Sequence, residues 1–208
     1  MMELHTAAAP NGRRALLVME ELELPYRLHI LDLARREQDL PEFRRLNPLG
    51  HVPVLVDSEG PGGAPITITQ SGAIIFYLAR KAGRLIPQDE AARIKVDQYT
   101  WMILSDVAAA STAIFLGSKL ETSSSRSVVD LFRERLRSFI GVIDKELATG
   151  TYLCGELSVA DFALLPLVLL PHVAGALEET GAANVKRWQA DMMARPSVAR
   201  ALAKSAHH

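Results

Sequence analysis

Apolar and polar positions alternate along this chain in two regimes. The first runs from the N-terminus to about residue 82 and mixes strand and helix periods. Glu3–Thr6 reads as a short strand. After the turn Ala7–Gly12, an apolar stripe through Ala15, Leu16, Met19 and Leu22 has helical spacing, and Pro25 ends that helix. Tyr26, Leu28 and Ile30 alternate with Arg27 and His29, which predicts a second strand. A strand–helix–strand run requires a parallel pair joined by a right-handed crossover. Arg35–Asp39 is a charged loop, and Pro41–Leu46 a short helical turn. Val52–Val56 and Ile66–Thr69 are strands flanking a glycine-rich hairpin turn, Ser58–Pro65. Ser71–Ala82 is a helix with Ile74, Ile75 and Leu78 on one face and Gly83 as its stop.

Beyond the linker Gly83–Gln88 no strand pattern appears. Helices are predicted over Asp89–Phe115, Ser123–Leu147, Ser158–Ala176 and Asn184–Met193, with a last short one after Pro196. The expected architecture is therefore an α/β domain over 1–82 and an all-α domain over 88–208. Ser158-Val159-Ala160-Asp161 has the form of a capping box, with Ser158 capping the helix and Asp161 reaching back. That role is folding, not chemistry.

Composition narrows the function classes. The chain has 208 residues, 49% of them hydrophobic, with a formal net charge of -1. No basic stripe argues for a nucleic-acid partner. The apolar run Phe162–Val173 carries Pro166, Pro171 and His172, is too short for a membrane span, and reads as a buried helix. The start lacks the basic region of a signal peptide. A single cysteine, Cys154, excludes an internal disulfide and fits a reducing, cytoplasmic setting. The six histidines show no metal-ligand spacing, so no metal is expected. His207-His208 reads as the remnant of an expression tag.

Two segments carry the chemistry. In Asn47-Pro48-Leu49-Gly50-His51-Val52-Pro53-Val54-Leu55 a proline stands at the start of a strand. A cis Val52–Pro53 bond there turns the Val52 backbone outward, free to pair with an extended peptide. In Gln70-Ser71-Gly72-Ala73-Ile74 a strand gives way to a helix, whose first N–H groups can hold a carboxylate. Together they describe a slot for a small acidic peptide, of which glutathione is one. The bland alternatives are a strand-initiating proline and a helix cap.

At these residues the chain resembles the cytosolic glutathione transferase family. The string Ala9-Pro10-Asn11-Gly12, with Glu20-Glu21 and Pro41-Glu42-Phe43, is similar to its Nu-class branch. The resemblance implies a thioredoxin-like first domain followed by a helical domain. It implies glutathione as co-substrate, with disulfide reduction, peroxide reduction or conjugation of small electrophiles as the reaction. A homodimer is implied, with a small hydrophobic or disulfide compound as second substrate. No Tyr, Ser or Cys lies between Met1 and Pro25 to activate the thiol. That leaves Asn11, whose amide can donate to sulfur, and Thr6, although Asn11 serves equally well as a helix cap.

The resemblance places Gln38 and His51 at the glycine end of glutathione, Val52 and Pro53 at its cysteine, and Gln70 and Ser71 at the γ-glutamyl carboxylate. Tyr99, Trp101, Met102 and Ser105 on the first long helix of the second domain are candidates for the second-substrate pocket. So is Arg133, one of a basic set with Arg126 and Arg137. For these the competing readings are plain core and solvated face. The rival to an enzyme is a non-enzymatic glutathione-binding regulatory module with the same fold.

Overall fold

Strand β1 (Met2–Thr6) turns Met2, Leu4 and Thr6 inward and Glu3 and His5 to the other, partly open face, as the two-residue period requires. The computed structural model describes residues 1–120 and 122–205, with the Ser123 side chain left out. His207 and His208 lie outside the described residues. β1 pairs in parallel with β2 (Tyr26–Ile30) and antiparallel with β3 (Val54–Asp57), and β3 pairs antiparallel with β4 (Ile66–Thr69). The sheet order is β2-β1-β3-β4. Pro53, with no N–H to give, stays out of the ladder, so the third strand begins at Val54 rather than at the expected Val52.

Helix α1 (Pro10–Leu22) packs against α3 (Ser71–Ala82), while the short α2 (Pro41–Leu46) packs on the preceding turn Glu37–Asp39. Leu16, Leu17, Val18 and Met19 of α1 and Ile74, Ile75 and Leu78 of α3 are essentially inaccessible and make the core with Leu4 and Leu55. Expectation and structure agree on this α/β, thioredoxin-like layer.

Among the described residues of the second unit, Leu85–Met193, the regular elements are all helices, with two isolated β-bridges in the loop around Tyr152–Glu156. It comprises α4 (Glu90–Trp101), a π-helical segment Met102–Val107, α5 (Ala108–Gly117), α6 (Ser123–Leu147), α7 (Val159–Val168), α8 (Pro171–Thr180) and α9 (Ala183–Met193). Glu90–Gly117 has the length and apolarity of a membrane span, and in this unit it packs on α6 and α7. The single helix expected over Ser158–Ala176 is two, bent by 96°. Pro171 is the reason: it disfavours the helical region for Leu170, which sits at φ -77°, ψ 135°.

The capping box at Ser158 and Asp161 is present and does more than cap. Asp161 is fully buried and accepts from the Leu153 N–H at 3.0 Å, the Ser158 N–H at 2.9 Å and the Trp188 indole at 2.8 Å. It ties the preceding loop and α9 to the start of α7.

Helix α10 (Pro196–Ser205) packs on α1 and groups by its contacts with Met1–Arg84, whereas the sequence expectation runs the helical domain over 88–208. The cause is electrostatic as well as apolar. Glu20 and Glu21 on α1 are only 6% and 8% exposed, and a buried carboxylate must be paired. Arg200 (3.0 Å) and Lys204 (2.5 Å) reach Glu20; Arg195 (2.6 Å) and Ser197 (2.5 Å) reach Glu21.

Candidate functional site

The first unit contains a cavity of about 360 Å³ whose walls come from four places in the chain. The β1–α1 turn and first helical turn give Ala9 and Asn11. The segment after β2 gives Leu33 and Gln38. The α2–β3 loop gives Asn47, Gly50, His51, Val52 and Pro53. The β4–α3 junction gives Gln70 and Ser71. The volume suits a small ligand. Asn11, Gln38, His51, Val52, Pro53, Gln70 and Ser71, widely separated in sequence, all line it.

Each wall has a local cause. The Val52–Pro53 peptide is cis. The loop before it is organised by Asn47, which is buried: its amide donates to the His51 carbonyl at 2.7 Å and its Oδ1 accepts from the Leu49 N–H at 3.1 Å. Arg44 braces the same loop from α2, donating to the Pro48 carbonyl at 2.6 Å while paired with Asp39. Gly50 has φ +63°, a left-handed conformation that favours glycine, and a Cβ there would also displace the Arg44 guanidinium that braces the loop.

Gln70 sits at φ 70°, ψ 118°, a conformation that costs a non-glycine residue of order 1–3 kcal/mol and that is concentrated at ligand sites. It sets the start of α3, with Ser71 as its first residue, at the cavity wall. Gln38 lines the cavity, and its Oε1 is buried without a hydrogen-bond partner.

Asn11 is not the cap of α1. Ala9 occupies the N-cap position, Pro10 takes the first helical position and Asn11 the second, with no side-chain capping bond. The Asn11 Oδ1 instead accepts from Arg14 Nη1 at 2.6 Å. The same Nη1 lies 2.8 Å from the Ser71 hydroxyl oxygen. Arg14 is fully buried, and burial lowers its pKa to about 10, which leaves it charged at neutral pH. With its oxygen occupied by Arg14, Asn11 presents its NH₂ as the free donor. Asn47 heads the motif that the sequence offers, whereas nothing in the spacing of Arg14 and Arg44 announces a role.

Thr6 is the sequence candidate that the cavity does not include. It is fully inaccessible, its hydroxyl has no partner, and it abuts Gly12, where an added Cβ would lie 2.4 Å from the Thr6 Oγ1. It is a packing residue at the end of β1.

In the helical unit the second-substrate candidates separate. Tyr99 is buried and its hydroxyl donates to Glu146 at 2.6 Å, which makes it part of the internal network with Lys95. Trp101 is 55% exposed. Met102 and Ser105 lie in the π-helical segment, a local irregularity common at functional sites, with the Ser105 hydroxyl donating to the Trp101 carbonyl at 2.8 Å. Arg133 is exposed and pairs with Asp130 at 3.0 Å on its own helix. Arg137 pairs with Glu179 at 2.9 Å. Burial pushes the Cys154 thiol up to about 12, so it is inert as a nucleophile.

Residues 8–81 match the family described as glutathione S-transferase, N-terminal domain, and residues 105–196 match its C-terminal domain. The chain is 29% identical to the disulfide-bond oxidoreductase YfcG of Escherichia coli, covering 99% of this chain and 96% of that protein. It is 30% identical to the glutathione S-transferase GstB of the same species, with 90% of each covered. Among solved structures, a Burkholderia graminis glutathione transferase with two glutathione molecules per subunit superposes with a TM-score of 0.92 at 30% identity, covering 100% of this chain and 89% of that one. A Pseudomonas putida glutathione transferase with one glutathione disulfide per subunit gives 0.88 at 29% identity, covering 97% and 90%.

Proposed function

Because the chain belongs to the glutathione S-transferase family, we propose that it uses glutathione to reduce small disulfides, with peroxide reduction and conjugation of small electrophiles as lesser activities. The observation that carries this reading is the Asn11–Arg14 pair at the head of α1, a donor and a buried cation beside a cavity with no protein thiol. Both favour a thiolate over a thiol. The helix N-terminus adds partial positive charge.

Ser71 and the first N–H groups of α3 hold the γ-glutamyl carboxylate. The Val52 backbone pairs with the cysteinyl portion, and Gln38 and His51 meet the glycine end. The bound thiolate attacks a disulfide sulfur, forming a mixed disulfide and expelling the other half as a thiolate. A second glutathione thiolate then attacks the glutathione sulfur, giving glutathione disulfide and releasing the remaining thiol. Every electron comes from glutathione. The relatives bound to two glutathiones or to glutathione disulfide are consistent with that stoichiometry. On the helical unit, exposed Trp101 with Met102 and Ser105 is the stretch we assign to the second substrate, and Tyr99 only supports it.

The chemistry needs no metal, and we infer a cytoplasmic homodimer without nucleic-acid or membrane partners. The exposed Leu131 on α6 is one candidate dimer contact. Sedimentation at micromolar concentration showing only a species of the 22.8 kDa chain mass would sink the dimer.

The functional test is turnover of hydroxyethyl disulfide by glutathione, with glutathione disulfide measured as product. Turnover in both the parent and Cys154→Ser is expected. Tight glutathione binding with no turnover of disulfide, peroxide or aryl halide would select the regulatory-module reading. Among the described residues, the wall at the head of α1 offers Ala9 and no hydroxyl of its own, with Thr6 buried, and that favours the rival.

A further inference from the structure

Three potential metal ligands converge on the face of the sheet away from α1, although no spacing in the sequence suggests it. Glu3 and His5 are two apart on β1 and so share a face. The parallel register sets His29 of β2 directly beside His5, and Arg27 beside Glu3. The His5 and His29 rings stack with centroids 4.4 Å apart and planes 8° from parallel. Glu3 Oε2 lies 2.9 Å from His29 Nε2. One ligand atom from each of the three residues falls within 4.8 Å of the other two, and all three side chains are partly open to solvent.

We propose that Glu3, His5 and His29 form a binding site for a divalent transition-metal ion of the zinc type. Two imidazoles and one carboxylate are a borderline donor set that suits Zn²⁺ and its neighbours and discriminates against Mg²⁺ and Ca²⁺, which demand more oxygen ligands. Ligands about 2.1 Å from a tetrahedral Zn²⁺ stand about 3.4 Å apart, so the Glu3 Oε2–His29 Nε2 pair at 2.9 Å must open slightly, while the other ligand atoms already lie within 4.8 Å. Rotation about the broad terminal torsion of each histidine supplies that movement. It also turns the stacked nitrogens from side by side to convergent.

Water from the open side completes the fourth position. Arg27 lies 3.7 Å from the other Glu3 oxygen, Oε1, which leaves Oε2 for the ion. The bound ion clamps the edge strand β2 to β1. None of the three residues lines the glutathione cavity, so the site stands apart from the proposed reaction.

The full chain, with His207 and His208 replaced by alanine, is titrated with Zn²⁺ at pH 7.5 against a chromophoric chelator. One ion per chain is expected, with affinity falling at least tenfold in His29→Gln and in Glu3→Gln. The same two variants should lose a zinc-dependent rise in melting temperature of at least about 4 °C, the size expected with zinc about a hundredfold above its Kd. Both positions are partly exposed, so circular dichroism and glutathione binding should match the parent and certify the fold. Unchanged zinc affinity in both variants, fewer than one ion per chain, or an equal response to Mg²⁺ would overturn the proposal.

Discussion

Arg14 Nη1 stands 2.6 Å from the Asn11 Oδ1 and 2.8 Å from the Ser71 hydroxyl oxygen, so one buried guanidinium joins the head of α1 to the head of α3. The two helix starts are the proposed thiol and carboxylate ends of the glutathione site. Arg14 sets the Asn11 amide so that its NH₂ is the group left to donate. It also places a positive charge beneath both ligand anions. Asn11 and Arg14 are three positions apart on a helix, which is the neighbour spacing that lets them meet.

Removing the Asn11 amide deletes one donor to developing sulfur charge, worth about 1–3 kcal/mol. Asn11→Ala should therefore lower disulfide turnover about ten- to hundredfold, at 1.36 kcal/mol for each factor of ten. Glutathione affinity should stay within a few-fold, because the carboxylate end is untouched. Steady-state kinetics with isothermal titration checks both. Equal turnover would show that the Asn11 amide has no part in activating the thiol, leaving Arg14 and the backbone N–H groups.

Arg14 separates charge from orientation. Arg14→Met keeps volume and removes the cation, so the pKa of bound glutathione should rise, moving the pH–rate profile to higher pH and restoring rate in alkali. Arg14→Lys keeps the charge but not the fork, so its profile should stay near the parent's while kcat falls. A merely structural Arg14 would depress rate equally at all pH values in both variants.

Much of this site was legible because its pieces are short local motifs. Val52-Pro53 and Gln70-Ser71 each declare a strand or helix boundary, and the fold needed only to bring those boundaries together. Asn11 was ambiguous because Pro-Asn-Gly looks like a capping turn. Only the backbone shows that Ala9 holds the cap and that Asn11 lies inside the helix. Arg14 was illegible, since its partner Ser71 lies far along the chain. α10 was visible as a helix, but its docking depends on Glu20 and Glu21, which in sequence look like an ordinary solvated pair. The break before Pro171 could have been taken from that proline; the apolar run around it obscured the signal.

Asp161 is the strongest stability prediction. Asp161→Ala leaves the Leu153 N–H, the Ser158 N–H and the Trp188 indole buried without an acceptor. With about 1–3 kcal/mol for each unsatisfied group, the loss should be at least about 3 kcal/mol. At roughly 2–4 °C per kcal/mol for a chain of this size, the melting temperature should fall by about 6 °C or more. Glutathione affinity, measured well below that temperature, should not change. A drop of less than about 2 °C in a calorimetric scan would mean that water replaces the carboxylate.

His172 gives a pH dependence of definite sign. Burial is the main cause that holds its pKa below the ordinary value, with the nearby Arg133 charge acting the same way and the bond to Ser111 opposing. The ring sits 2.8 Å from the Ser111 Oγ. The unfolded chain therefore takes up this proton at a higher pH than the folded one. Between the lowered folded pKa and about 6.5 the unfolded state binds more protons, so stability rises with pH across that window and is lost as pH falls through it. Glu20, Asp57 and Glu146 have pKa values lowered from the carboxylate range, so their contributions vanish only in stronger acid. Denaturant melts of the parent at pH 7.5 and 5.5 should show a loss on acidification. His172→Gln, which keeps a polar partner for Ser111 but cannot titrate, should flatten that loss. An identical slope in the variant would assign the acid sensitivity to other groups.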